Sequence, residues 1–198
     1  MTNYAQILGK LSQGPRFSHS IYGEDFYSFF IESVRLSGRK DIIPCMAAER
    51  HLKQLSAEKE LLYCGQIRSY NKLVDGANRL DIRLFVKEVY EEEAEDSLNS
   101  VSLTGYICKQ PTYRRTPFGR EITDMLVAVN RAYNKSDYIP VITWGRNARL
   151  VNRMEVGDRI RLQGRMQSRE YEKIMPNDER ICRTAYEISV REIEKTED

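Results

Sequence analysis

The sequence is poor in the residues that build metal sites and catalytic triads. It has only four cysteines and two histidines among 198 residues. The cysteines form no C-x-x-C pair and have no nearby histidine, so a zinc site is not supported. Neither histidine has a serine or cysteine partner in a recognisable motif. We therefore expect no metal, no cofactor and no enzymatic activity, and we expect the cysteines to be reduced thiols in the core.

Long hydrophobic runs are also missing. No stretch of the sequence approaches the roughly 18 apolar residues that a membrane span needs. The first residues lack the charged and then apolar pattern of a secretory signal. These absences predict a globular protein of the cytoplasm that makes no contact with a membrane.

Positive and negative charges nearly cancel over the whole chain, but they are unevenly distributed along the sequence. The net charge is +2, from 31 Lys and Arg against 29 Asp and Glu. Within 99–183, however, there are 16 basic and 9 acidic residues, a local net charge of +7. A positive field of this kind fits a polyanionic partner, although an ordinary solvated surface has the same composition.

An internal repeat is the strongest pattern in the sequence. At an offset of 96 residues, segment 3–55 aligns with segment 99–151 without a gap, and nine residues are identical. In the first copy these are Asn3, Gly9, Pro15, Gly23, Arg35, Asp41, Ile43, Pro44 and Arg50. Repeated glycine and proline positions indicate that the two copies share their turns and therefore their fold.

The match resumes nearer the end of each copy at a larger offset. Gly65 and Ser69 of the first copy then align with Gly164 and Ser168 of the second, as insertions in loops would produce. We predict two domains, 1–94 and 95–198, joined through the acidic segment 91–96, which has no apolar periodicity.

Each copy has the pattern of five strands and one short helix. In the second copy, apolar and polar residues alternate at 101–107, and segments rich in β-branched residues follow at 125–129 and 138–144. Helical spacing then covers 147–154, before two more alternating strands. This order predicts an all-β protein with two tandem OB-folds, five-stranded partly open Greek-key barrels with a short helix between strands 3 and 4. A small β-sandwich explains the helix less well.

A series of short motifs runs in order through the second copy. The motifs are NSVSLTG at 99–105, TPFG at 116–119, VAVNR at 127–131, KSDYIP at 135–140, WG at 144–145, VGD at 156–158 and GRMQSREY at 164–171. The ordered set resembles the bacterial single-stranded DNA-binding protein family, which the first copy matches only through the repeat. The resemblance implies a cytoplasmic, nucleoid-associated protein that binds single strands without catalysis and supports DNA replication, recombination or repair.

A protein that holds any single strand needs flat rings for base stacking and cations along the backbone path. Four aromatic residues match positions where the family carries its stacking rings: Tyr133, Tyr138, Trp144 and Tyr171. The basic residues near them or in the first hairpin are Arg114, Arg115, Arg120, Arg131, Lys135, Arg146, Arg165, Arg169 and Lys173. We predict these thirteen residues as the nucleic-acid-binding site, with burial in the core as the alternative for the strand aromatics.

The first copy lacks most of this set. At the offset of 96, Ser37, Ile42 and Ala48 stand where the second copy has Tyr133, Tyr138 and Trp144. We therefore expect the first copy to act mainly in assembly, or to extend a strand path that begins on the second copy.

The resemblance also implies partners. These are single-stranded DNA, or RNA, because no residue identifies a 2′-hydroxyl contact. The family presents four OB-folds as a homotetramer, so two copies in one chain predict a homodimer. The family's flexible acidic tail, which recruits other enzymes, has no counterpart in the sequence up to Asp198. Recruitment of replication enzymes by that route is therefore not predicted.

Three other functions would use the same fold. A primosome-type or RNA-binding OB protein would use the same stacking and basic groove. A tandem OB scaffold for protein–protein interaction would be favoured if Trp144 were buried and the basic residues scattered. A nuclease would need clustered carboxylates for a metal, but the acidic residues of the second copy are dispersed.

Overall fold

The computed structural model describes residues 3–74, 76–91, 98–174 and 180–197. The described part of the first half contains β1 (Asn3–Ile21), β2 (Glu24–Val34), β3 (Lys40–Ala48), a 3₁₀ helix (Glu49–Gln54), β4 (Leu61–Val74) and β5 (Ala77–Tyr90). The described part of the second half contains β6 (Asn99–Arg115), β7 (Glu121–Asn130), β8 (Ser136–Trp144), α1 (Gly145–Val151), β9 (Arg159–Ile174) and β10 (Arg180–Lys195). From position 92 onward, the predicted acidic linker lies outside the described residues.

Each half forms a five-stranded barrel. The first barrel has the strand order β2-β3-β5-β4-β1 and closes where β1 pairs with β2, and the second repeats this arrangement with β6–β10. All barrel pairs are antiparallel except β3–β5 and β8–β10, which run parallel over two residue pairs each. The prediction of two tandem OB-folds is confirmed, including the short helix between the third and fourth strands. Within the described residues, no helix is long and apolar enough to cross a membrane.

Glycines stand where barrel strands pass too close for a side chain. A Cβ added at Gly65 would lie 2.0 Å from the carbonyl oxygen of Phe85, and one at Gly164 would lie 2.4 Å from that of Ser189. Gly65 and Gly164 are equivalent in the repeat, as are Gly9 and Gly105, where an added Cβ would also meet a carbonyl oxygen. The repeated glycines are therefore required by the close approach of strands in the barrel.

Two local expectations from the sequence need correction. The helix predicted at 147–154 is α1 and begins at Gly145 and ends at Val151, so Met154 packs into the core from the turn that follows it. Cys45 and Cys64 are buried as predicted, but Cys182 is exposed. Cys182 pairs with Glu172 in a part of the β9–β10 ribbon that extends past the barrel, so its apolar neighbours do not cover it.

The two barrels join through their first strands. β1 and β6 pair antiparallel with Ala5 opposite Val101, residues that are equivalent in the repeat. The register is symmetric about this pair, because Asn3 lies opposite Leu103 while Ile7 lies opposite Asn99. The repeat is therefore arranged about an approximate two-fold axis, and one continuous sheet crosses from barrel to barrel.

Two fully buried aspartates, one on each barrel, form hydrogen bonds that hold the barrels together. Asp41 Oδ1 accepts hydrogen bonds from the backbone N–H and the hydroxyl of Ser168, at 2.9 and 3.2 Å. Asp137 Oδ1 accepts the equivalent pair from Ser69, at 2.8 and 3.5 Å. Each aspartate thus binds a serine of the opposite barrel, and this reciprocal contact accounts for the repeated aspartate and serine positions.

Arginines supply the charge that these buried carboxylates need. The Arg35 guanidinium donates to both Asp41 oxygens at 2.6 Å, and this contact raises the pKa of Arg35. Asp137 lies 3.0 Å from an Arg68 nitrogen and 3.5 Å from Arg131 Nε. A buried charge that loses its partner is strongly destabilising, so these ion pairs are required for the interface between the barrels.

Substitution of Asp41 tests this account of the interface. Asp41→Ala should lower the free energy of unfolding by about 3–5 kcal/mol, because Arg35 and Ser168 lose a buried acceptor. The measurement is urea unfolding followed by circular dichroism. Asp124→Ala is the control, because Asp124 pairs with Arg114 at the surface and an exposed pair contributes about 0–1 kcal/mol. Equal losses of unfolding free energy in the two variants would contradict the role of Asp41 in holding the barrels together.

Candidate nucleic-acid interface

A groove of about 860 Å³ lies where the two barrels meet. One side is the turn between β2 and β3 of the first barrel, and the other side comes from the second barrel, including β8, β9 and β10. Its cations are Arg35, Arg39, Arg120, Arg165, Arg169 and Arg191. The described residues that line it include no aspartate or glutamate, so the groove presents a positive field to a polyanion.

Trp144, the only tryptophan of the chain, opens onto this groove. It is the last residue of β8, and its side chain is 36% exposed. The indole Nε1 donates a hydrogen bond to the Ser189 hydroxyl at 3.2 Å, and Ser189 lies on β10, paired with Ile142 of β8. The ring is therefore held by one edge while part of its surface stays available for stacking.

Three of the groove arginines already have carboxylate partners. Arg35 is paired with the buried Asp41. Arg169 Nε lies 3.4 Å from Glu187, and Arg191 Nε lies 3.3 Å from Glu192. These pairs orient the guanidinium groups but reduce the net charge they offer to a ligand.

The other three have no ion-pair partner among the described residues. No described residue forms an ion pair with Arg39 or Arg120, and the Arg165 guanidinium donates a hydrogen bond to the side-chain oxygen of Gln167, at 3.5 Å. Burial lowers the pKa of Arg165, the neighbouring Arg35 and Arg39 lower it further, and Asp41 acts in the opposite direction. Like charges are thus held together here, and an anion between them would relieve their repulsion.

The predicted stacking aromatics fall into two groups. Tyr171, on β9, lies beneath the Arg169 guanidinium, whose central carbon is 5.8 Å from the ring centroid. Tyr138 is 45% exposed but lies six residues before Trp144, about 20 Å away along β8. Its backbone N–H donates to Ser69 of the first barrel, and the fully exposed Tyr133 lies in the turn before β8. The structure therefore groups Tyr171 with Arg169, and it separates Tyr133 and Tyr138 from Trp144.

The predicted hairpin arginines differ in their surroundings. Arg114 Nε lies 2.8 Å from Asp124, and Arg115 lies 3.8 Å from Glu121. A hydrogen bond from the Tyr113 hydroxyl lowers the pKa of Glu121, and Arg149 and Arg115 lower it further. Only Arg120, at the end of this hairpin turn, lines the groove.

The remaining predicted cations lie elsewhere. Arg131 is next to the buried Asp137, whereas Lys135 and Arg146 are exposed on the second barrel. The side chain of Lys173 lies outside the described residues. Sequence reasoning missed Arg35, Arg39 and Arg191 of the groove. The repeat was the available signal for Arg35, because it aligns with the predicted Arg131.

The nuclease alternative requires a group of metal-binding side chains. Among the described residues, no three or more His, Cys, Asp or Glu side chains come together in an arrangement that could hold a metal ion. The described part of the chain therefore offers no cluster on which to base a metal-dependent mechanism.

Two closed barrels, paired about an approximate two-fold axis with a basic groove at their junction, define a tandem OB-fold protein. A family model described as "Single-strand binding protein family" matches residues 98–196. The chain belongs to this family, as its motifs predicted.

Sequence relatives agree with this assignment. The chain is 38% identical over 82 residues to the single-stranded DNA-binding protein of Clostridium tetani and 37% identical to single-stranded DNA-binding protein A of Bacillus subtilis. Each alignment covers 38% of this chain, and 57% and 48% of these relatives. The chain thus spans about half the length of the curated relatives it matches.

The fold extends over the whole chain. The crystal structure of the wild-type single-stranded DNA binding protein from Thermus aquaticus matches with a TM-score of 0.77 and 17% identity. The match covers 99% of this chain and 93% of that one. The similarity therefore includes the first copy, which the family model does not reach.

The electrostatics of the groove can be measured through Trp144. Iodide should quench its fluorescence several-fold more effectively than caesium at low ionic strength, relative to a free tryptophan amide, because the surrounding arginines attract anions. The difference should narrow as salt rises, since screening shortens the range of the field. Equal quenching by the two ions would mean that the indole does not sense a positive groove.

Proposed function

We propose that the chain binds single-stranded DNA with little dependence on sequence and acts in DNA replication, recombination or repair. The observation that carries the proposal is a partly exposed indole beside arginines without counter-charge, in a groove with no acidic lining among the described residues. Bases would stack on the ring while the arginines neutralise phosphates. The relatives' printed names describe proteins that bind single-stranded DNA, and they support the same function.

The proposed site has a centre and a periphery. Its centre is Trp144 with Arg120, Arg165, Arg169 and Tyr171. The peripheral residues are Arg114, Arg115, Arg131, Tyr133, Lys135, Tyr138, Arg146 and Lys173. Stacking on a flat ring needs no contact with base edges, so binding at this site would tolerate any sequence. The role is one of binding rather than catalysis, and we propose that the protein acts in the cytoplasm at the nucleoid.

RNA and protein partners are the competing ligands. A single strand of RNA offers the same bases and phosphates, so poly-rU must be compared directly with poly-dT. The protein-scaffold alternative would be favoured by a buried Trp144 and scattered cations. The exposed indole and the arginine-lined groove favour the nucleic acid instead.

Trp144 should contribute directly to the affinity. Trp144→Ala should weaken binding of oligo-dT by about 1–3 kcal/mol, the typical value of one stacked base. Trp144→Phe should retain part of the affinity because it keeps a flat ring. Binding is measured by the anisotropy of a labelled oligo-dT, since the substitution removes the intrinsic fluorophore, and folding is checked by circular dichroism.

A second exposed aromatic provides the matched control. Tyr90 is 47% exposed at the end of β5 in the first barrel, and Tyr90→Ala should leave the affinity unchanged. Duplex DNA should bind weakly to the parent protein, because its bases are already stacked. A folded Trp144→Ala variant with the parent's affinity would refute the proposed role of the indole.

We further propose a homodimer that presents four OB-folds, with domains at 1–94 and 95–198 in each chain. The two barrels of one chain already form a two-fold unit, and two such units would give the family's four barrels. Sedimentation at micromolar concentration should give twice the 23.2 kDa mass of one chain. A mass of one chain would contradict this assembly.

A further inference from the structure

The approximate two-fold axis relates the arginine-lined groove to a second position between the barrels. There, the turn between β7 and β8 approaches β4 of the first barrel, as shown by the hydrogen bonds of Ser69 to Asp137 and Tyr138. Because the pairing registers of the two barrels agree, the repeat identifies which residues occupy equivalent places. The two sides can therefore be compared residue by residue.

Three residues of the arginine-lined groove have no aromatic or basic equivalent at the second position. The equivalents of Trp144, Arg120 and Arg165 are Ala48, Glu24 and Gln66. Glu24 forms an ion pair with Arg50, so an acidic group replaces a free cation. The second position keeps the exposed Tyr133, Tyr138 and Lys135, but the side that holds Trp144 is the one where an indole lies in a groove lined by arginines.

The favoured side includes a turn of the first barrel. This turn is closed by two backbone hydrogen bonds of 2.8 Å, from Gly38 N–H to the Arg35 carbonyl and from Arg35 N–H to the Arg39 carbonyl. Gly38 has a φ of +79°, which the turn requires and glycine adopts without strain. Arg39 is consequently presented from a defined backbone, with its side chain exposed to the groove.

The turn is also fixed relative to the second barrel. Arg35 begins the turn and binds Asp41, and Asp41 binds Ser168 of β9. Arg165 lies three residues before Ser168 on the same strand and is close enough to Arg39 for the two charges to interact. The buried ion pair thus holds cations of the two barrels on opposite walls of one groove.

We infer that the first barrel contributes directly to strand binding through Arg39, which binds backbone phosphate together with Arg165, so that a strand stacked on Trp144 crosses the barrel junction on this side. The inference rests on the proposed function, since it assumes that the groove binds a single strand. It assigns the first copy a contact with the ligand in addition to its part in assembly.

Charge reversal at neighbouring positions tests the contribution of Arg39. In the full chain, Arg39→Glu should weaken binding of labelled oligo-dT about tenfold or more. It should also reduce the slope of log K against log salt by roughly 0.7 for each phosphate that the variant no longer neutralises. An oligonucleotide of about 30 nucleotides is long enough for two OB-folds.

Lys40→Glu is the matched control. It changes the net charge equally, one residue away, but Lys40 pairs with Glu32 at 2.8 Å and does not line the groove. This variant should bind within about twofold of the parent and keep its salt slope, since a charge outside the groove contributes only a screened, long-range term. Urea unfolding of both variants shows whether either loses stability.

The outcomes separate this inference from the proposed function. Equal affinities for Arg39→Glu and Lys40→Glu, with weaker binding by Trp144→Ala, would overturn the role of the first barrel while leaving strand binding intact. Failure of the parent chain to bind oligo-dT would overturn the proposed function itself. Selectively weaker binding by Arg39→Glu, with a reduced salt slope, would support a strand path shared by both barrels.

Discussion

The reciprocal burial of Asp41 and Asp137 is the constraint on which the rest of the structure depends. Each carboxylate is fully buried, and each accepts hydrogen bonds from a serine of the opposite barrel, Ser168 for Asp41 and Ser69 for Asp137. Because an unsatisfied buried charge is so costly, the barrels have little freedom to dock in another way. The β1–β6 pairing sets the register along the junction, and the groove is a consequence of both.

The repeat separates residues that hold the scaffold from residues that are free to diverge. Asn3 and Asn99 have the same task, because each side chain forms two hydrogen bonds with the backbone of its own barrel, at Ile67 and Met166. Glycines at strand crossings are equally constrained, since a carbonyl oxygen occupies the space of a Cβ. Exposed positions carry no such restriction, and there the two copies differ. Of the two related surfaces at the barrel junction, the one that holds Trp144 forms the arginine-lined groove.

The physics of this groove suits a ligand that varies in sequence but not in charge. Trp144 offers a ring held by its hydrogen bond to Ser189, so little side-chain freedom remains to be lost on stacking. Burial lowers the pKa of Arg165, and the nearby charges of Arg35 and Arg39 lower it further, so like charges are already close together before any ligand binds. Arg169 places a positive charge directly over an aromatic ring, because its guanidinium pairs with Glu187 and lies over the face of Tyr171.

The sequence alone determined the repeat, the strand pattern, the OB-fold and the choice of Trp144 as an exposed ring, because alternation and repeated turn residues are local properties. Only the tertiary structure showed that Arg131 lies beside a buried carboxylate, that Tyr138 and Trp144 lie at opposite ends of β8, and that Arg39 lines the groove. These facts depend on contacts such as that of Asp41 with Ser168, more than 100 residues apart. Local periodicity identifies which side of a strand faces the core, but the cations that share a groove are decided by how two complete barrels pack.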